Sequence, residues 1–234
     1  MRGMTCTEVK DKFVIAQTAA DRISYCKMIE EREKALPRSE ATVGQATIFL
    51  SFAYISDFLA VFRCLQDHMA AKVEDFEHQF IWISFFSVNQ HEAGVKKMDF
   101  WTGTFMTSIK VIGRVIMVAL PYNRPAPLTR AWCLWEVYSA VKTNSVFEVA
   151  MDKEEEKAFL VDMYTKGMSF FELLESIDMR KSESFKPEDK VAIHAAVRQE
   201  VGFDEVNKLI YKPLRDWTVQ CLDKLYMAIT ARLR

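Results

Sequence analysis

Between residues 46 and 151, four short apolar segments alternate with longer segments of helical period, and few folds accommodate that order. Ala46 to Phe52 reads as a buried strand, Asp57 to Ala70 as a helix, Phe80 to Val88 as a second strand and Met98 to Gly113 as a helix. Val115 to Leu120 follows as a third strand, Thr129 to Thr143 as a helix and Val146 to Met151 as a fourth strand. Strands that are apolar throughout are buried on both faces, and strand–helix–strand crossovers lay them parallel. The pattern predicts an α/β fold with one mainly parallel sheet, its first strand central and helices on both sides.

The flanking segments read as helical. Residues 5–36 are expected to form one helix, with Thr5 and Glu8 at capping-box spacing and Val9, Phe13, Ala16, Ala20 and Ile23 at helical intervals. It stops near Pro37, and residues 37–45 form a polar linker. Asp152 and Glu155 repeat the capping-box spacing and open a helix to about Tyr164. Further helices are expected near 169–180, 187–200 and 203–232. The last of these carries an apolar stripe of Val206, Ile210, Leu214, Trp217, Cys221, Leu225 and Ala228. The chain thus divides into an N-terminal helix and linker (1–45), an α/β domain (46–166) and a C-terminal helical extension (167–234). Both additions should pack on the domain, because isolated helices are marginal in water.

Composition removes several function classes. The 234 residues include only 7 Gly and 6 Pro, and neither G-x-G-x-x-G nor G-x-x-x-x-G-K occurs, so no glycine-rich phosphate loop is present. A net charge of -1 gives no electrostatic reason to expect nucleic acid. The five cysteines are scattered without a C-x-x-C pair, which suits reduced thiols in a cytosolic compartment. Lys10, Asp11 and Lys12 rule out the apolar core of a signal peptide, and runs such as Phe80–Ile83 are too short to span a bilayer. The chain reads as soluble and cytoplasmic, without membrane insertion. No metal site is expected, since His91-Glu92 has no second histidine at ligand spacing.

Polar residues gather where an open parallel sheet binds ligands, beyond the carboxyl ends of its strands. Tyr54, Ser56 and Asp57 follow the first strand, Asn89 to Glu92 the second, and Tyr122, Asn123 and Arg124 the third. The third-strand loop leads into Leu128-Thr129-Arg130-Ala131-Trp132-Cys133-Leu134-Trp135-Glu136. At about 100° per residue, Leu134, Val137, Tyr138 and Val141 form the expected buried stripe of that helix. Trp132 and Glu136 then share the opposite, outward face. An aromatic beside a carboxylate near the strand ends suits a ligand cleft. Tyr54, Asp57, Asn89, Arg124 and Trp132 are therefore candidate substrate-binding residues around Glu136. Cys133 reads as a packed small hydrophobe.

The order of these pieces resembles a divergent Toll/interleukin receptor (TIR) domain over roughly residues 46–150. Ala46-Thr47-Ile48-Phe49-Leu50-Ser51-Phe52 is similar to the first-strand V-F-L-S-F signature, and Arg130 to Glu136 to the S-R-W-C-x-x-E element. Phe80 to Gln90, with Trp82 and Val88-Asn89-Gln90, resembles the W-I-D-x-x-x-I-N-Q element of fungal heterokaryon-incompatibility domains, a TIR-like family. The sequence departs from these patterns at Ser84, where the second-strand aspartate is expected. It departs again at Tyr54-Ile55-Ser56-Asp57 in place of G-E-D, and in the Gly94 and Gly103 loop pattern. The resemblance implies a flavodoxin-like sheet and self-association. It implies immune or stress signalling and, in many members, hydrolysis or cyclisation of NAD as substrate, with no bound cofactor. Glu136 falls at the catalytic glutamate and Trp132 at a pocket aromatic. Two other readings stand beside it: a non-catalytic TIR-like interaction module, and a nucleoside hydrolase or transferase on a related α/β fold.

Overall fold

The computed structural model describes residues 1–37, 40–72, 79–92, 98–166 and 169–232; Gly94 lies outside them. Four parallel strands form the sheet: β1 (Ile48–Ser51), β2 (Ile81–Trp82), β3 (Arg114–Val118) and β4 (Val146–Ala150), in the order β2-β1-β3-β4. Phe49 lies opposite Trp82 on one side and Val115 on the other, so β1 is interior, as the alternation predicts. This is an α/β fold with a flavodoxin-like strand order.

Both sheet faces are covered, which is why the strands are apolar throughout. Ile48, Leu50, Ile116 and Val118 pack with Val61, Cys64 and Leu65 of α4 (Phe58–Lys72). On the opposite face, Phe49 and Val115 pack with Ile109 of α6 (Met98–Ile112) and Ala140 of α7 (Ala131–Lys142). Gly113, at φ +76°, lets α6 stop and turn directly into β3. Asp57 accepts a 2.8 Å hydrogen bond from the Ala60 amide at the start of α4.

Two elements differ from the sequence expectation. The 5–36 segment is not one helix. Its box is complete, with the Glu8 amide donating to Thr5 Oγ1 (3.2 Å) and the Thr5 amide to Glu8 Oε2 (3.0 Å). The helix runs as α1 (Cys6–Val9), a π-helical turn (Lys10–Val14) and α2 (Ile15–Gln17). It breaks at buried Thr18, whose hydroxyl donates to the Val14 carbonyl (2.8 Å) and lies 2.8 Å from His91 Nε2. Arg22 turns the chain at φ +52°, and Ser24 caps a new helix, α3 (Tyr25–Arg32). The second strand is likewise shorter than 80–88. After Trp82 the chain forms a helical turn, α5 (Ser84–Ser87), which buries Phe85 completely. An apolar run of this length fits strand or buried helix equally, and here the tertiary packing selects the helix.

The C-terminal part adds α8 (Lys153–Lys166), α9 (Ser169–Glu175), α10 (Pro187–Glu200) and α11 (Phe203–Arg232). The Asp152 cap forms, receiving the Glu154 and Glu155 amides at 3.1 and 2.9 Å; Glu155 instead reaches the Tyr122 amide at 2.6 Å. Val206, Ile210 and Leu214 of α11 are buried with Leu134, Trp135, Val137 and Tyr138 of α7, so the extension packs on the domain. Cys6, Cys26, Cys64, Cys133 and Cys221 are all free thiols. Among the described residues no helix is long and apolar enough to cross a membrane, and no cluster has metal-ligand composition.

One ionic group sits within this frame. Partly buried Glu148 of β4 meets His68 at 3.4 Å and the Arg114 guanidinium at 2.7 Å. The hydrogen bond from His68 and the Arg114 charge hold its carboxyl at about 2, against 4.5 ordinarily. A depressed native value stabilises the fold above the unfolded value and loses that contribution as pH falls through the native one. Glu148→Gln should therefore lower unfolding free energy by about 1–2 kcal/mol at pH 7. In denaturant titrations the gap should close between about pH 4.5 and pH 2.

Candidate functional site

A cavity of about 260 Å³ opens beyond the carboxyl ends of β1 and β2. Its floor is Leu50, Phe52, Ala53 and Tyr54 from the first strand end, with Ser84, Val88 and Gln90 from the second. Arg130, Trp132, Cys133 and Glu136 of the α7 region form one wall, and Trp101 and Phe105 of α6 extend it. A larger groove of about 440 Å³ on α8 and α11 has an apolar lining of Leu160, Val161, Tyr164 and Leu225 between surface charges. It lacks the convergent buried polar groups of a reactive site.

Glu136 stands in the strand-end cavity, but its surroundings differ from the amphipathic reading. It is only 6 % exposed, and it faces the sheet rather than solvent. Alternation along β1 sends Ile48 and Leu50 toward α4 and turns Ser51 toward α7. Ser51 Oγ donates to Glu136 Oε2 at 2.5 Å. One turn earlier, the Cys133 thiol donates to the Phe52 carbonyl at 3.5 Å. The face carrying Cys133 and Glu136 thus meets β1 and its end, while Leu134, Val137 and Tyr138 are covered by the C-terminal helices. Burial pushes the Glu136 carboxyl up to about 8, partly offset by the Ser51 hydrogen bond. That value favours the neutral acid at pH 7. Burial also raises the Cys133 thiol well above its usual value, so it is no thiolate nucleophile.

Trp132 is held on two sides. Its indole N–H donates to Asp189 Oδ2 at 2.9 Å, and its ring meets Phe105 edge-on at 4.9 Å. Phe105 in turn packs edge-on against Trp82 at 5.4 Å. Tyr54 also lines the cavity, its hydroxyl 2.6 Å from Ser84 Oγ. The remaining sequence candidates do not line it. Asp57 is occupied as the α4 cap. Asn89 donates to the Arg22 carbonyl at 2.8 Å, and Gln90 reaches the cavity instead. Arg124 sits exposed on a loop drawn toward α8, where the Tyr122 amide meets Glu155 and the Tyr122 hydroxyl meets Asp162 at 2.8 Å. The arginine in the cavity is Arg130.

Two segments from outside the α/β unit complete the lining. The N-terminal helix contributes Thr7 and Lys10. It is pinned there by amide bonds from Cys6 to Ser56 O and from Thr7 to Tyr54 O, each 3.0 Å. A strap before and into α10 contributes Phe185, Lys186 and Asp189. It is fixed to the start of α7 by two backbone bonds, Ala131 N to Glu183 O (2.9 Å) and Glu183 N to Thr129 O (2.8 Å). None of these five carried a local spacing signal; only long-range packing brings them to the strand ends.

Folding sets the protonation of Glu136. Its native value lies above the unfolded 4.5, so the stability tied to its proton is full below pH 4.5 and is lost as pH rises through about 8. Glu136→Gln keeps the shape and the Ser51 donor without that titration. Relative to the parent it should gain stability between pH 5 and 8, on the order of a few kcal/mol at pH 8.5, in denaturant titrations. An equal pH dependence in parent and variant would mean that Glu136 is solvated. Comparison of the chain with protein-family models, curated proteins and solved structures finds no match.

Proposed function

We propose that the chain is a TIR-like, NAD-consuming enzyme that cleaves the nicotinamide–ribose bond by hydrolysis or cyclisation, acting in the cytoplasm in immune or stress signalling. The observation that carries this reading is the placement of a single buried carboxylate, Glu136, in an aromatic-walled cavity at the strand ends. The free cysteines are consistent with the compartment. The cavity is at the small end of ligand pockets and has room for one nucleoside half of a dinucleotide.

The chemistry follows from charge. Nicotinamide in NAD is a cationic ring, and its arrival beside Glu136 favours the ionised carboxylate over the neutral acid. Cleavage builds positive charge on the ribose as the bond to nicotinamide breaks and that ring leaves neutral. A carboxylate in a water-poor cavity stabilises this oxocarbenium character without serving as a general acid. Trp132, fixed by Asp189 and Phe105, offers a preset surface for a planar ring. The reading includes dependence on self-association, so turnover per molecule should rise with protein concentration.

The test is to incubate the protein with NAD and resolve nicotinamide, ADP-ribose and cyclic products. Glu136→Gln should reduce turnover by about 100- to 1000-fold. Trp132→Ala should act mainly on KM. For the parent, kcat/KM should rise with pH with a midpoint near 8, the value for Glu136 in the free protein. The kcat midpoint should fall below it, because the bound cation favours ionisation. An active Glu136→Gln variant would sink the assignment. The adaptor reading is favoured by Ser84, which stands where the resemblance expects the second-strand aspartate, and predicts no turnover at any pH.

A further inference from the structure

The lining of the cavity is positively charged in a chain whose net charge is -1. It holds three cations, Lys10, Arg130 and Lys186, against two carboxylates, Glu136 and Asp189. The excess is one positive charge when Glu136 is ionised and two while it keeps its proton. Asp189 is already engaged by the Trp132 indole. Among the described residues, neither Arg130 nor Lys186 has a carboxylate within ion-pair distance. Arg130 instead lies 5.7 Å over the Phe185 ring, which holds the guanidinium in place without neutralising it. Lys10 pairs with exposed Asp11 at 2.8 Å, a surface pair worth little and readily exchanged for a stronger anion.

Two of these cations stand where local stability disfavours them. Arg130 is the N-cap residue of α7 and Lys186 that of α10, and neither helix has a side-chain cap. Ser, Thr, Asp and Asn are the residues that satisfy such ends, and the helix dipole opposes a cation there. Lys10 opens the π-helical turn of the N-terminal helix, another departure from regular geometry. Three local costs around one cavity fit a site whose occupant returns the stability.

We propose that Lys10, Arg130 and Lys186 form an anion subsite that takes the diphosphate of a dinucleotide, so that two segments outside the α/β unit select dinucleotides over nucleosides. This rests on the nucleotide reading of the cavity and not on bond cleavage. The cavity holds one nucleoside half, and the cations supply the electrostatic partner for the bridge leading out to the other half.

Isothermal titration calorimetry with ADP-ribose and with adenosine tests the subsite, since neither probe contains the nicotinamide bond. The parent should bind ADP-ribose at least about 10-fold more tightly than adenosine. Lys10→Gln and Lys186→Gln should each weaken ADP-ribose by about 5- to 10-fold and leave adenosine unchanged, and added salt should weaken ADP-ribose alone. Failure of the parent to bind ADP-ribose, equal binding of the two probes, or unaltered ADP-ribose binding by both variants would overturn the proposal. Lysine-dependent ADP-ribose binding without NAD cleavage would remove the hydrolase reading and keep the subsite. NAD cleavage with a KM indifferent to both variants would do the reverse.

Discussion

The structure depends on the burial of α7 from every side. Nine of its residues are buried, including Leu134, Trp135, Glu136, Val137 and Tyr138 in succession. No sheet can cover a helix all round. The sheet takes one flank, α6 meets Trp135 through the Thr102 carbonyl at 3.3 Å, and α10 and α11 close over the rest. The C-terminal helices are therefore part of the core, and α11 runs past Pro213 with Leu214 still buried against this cluster. Each polar group on α7 must then be answered internally. Glu136 is answered by Ser51, whereas the buried Ser139 hydroxyl has no hydrogen-bond partner among the described residues.

That same enclosure gives Glu136 its character. A carboxylate needs water or several donors to stay ionised, and among the described residues it has a single serine hydroxyl and aromatic walls. The low dielectric that raises its proton affinity also strengthens its attraction to a cation. The proposed function draws on both a carboxyl group that would charge as a cationic ring arrives and the fixed positive charges at other points of the lining. Few ligands carry a cationic ring and an anionic bridge together, and a nicotinamide dinucleotide is one that does.

The fold was legible because burial on both faces is written into the strands themselves: β1, β3 and β4 lie within a few residues of their apolar runs. What was not legible was any feature decided by distant packing. Phe85 and Phe86 suit strand or helix, and the packing around Phe52 and Phe58 placed Phe85 in a helical turn. Spacing pairs Trp132 with Glu136 on an outward face, yet Glu136 points toward β1 and Trp132 is held by Asp189 and Phe105. Hydrophobic periodicity locates an exposed side only when one exists, and α7 has almost none. Arg124 was placed near the site by the strand-end rule, which cannot foresee that Tyr122 ties its loop to α8. Lys10 and Lys186 lie far apart in sequence, and nothing local to either announces the other.

The strap at Glu183 has a consequence for how the molecule comes into being. Synthesis proceeds from the amino terminus, so the whole α/β unit leaves the ribosome before the residues that close α7 and roof the cavity. Until then the cavity lacks Phe185, Lys186 and Asp189, and the Trp132 indole lacks the carboxylate that fixes it. The finished pocket is a property of the completed polypeptide, and a chain interrupted before residue 183 lacks that roof and one of the two lysines of the lining.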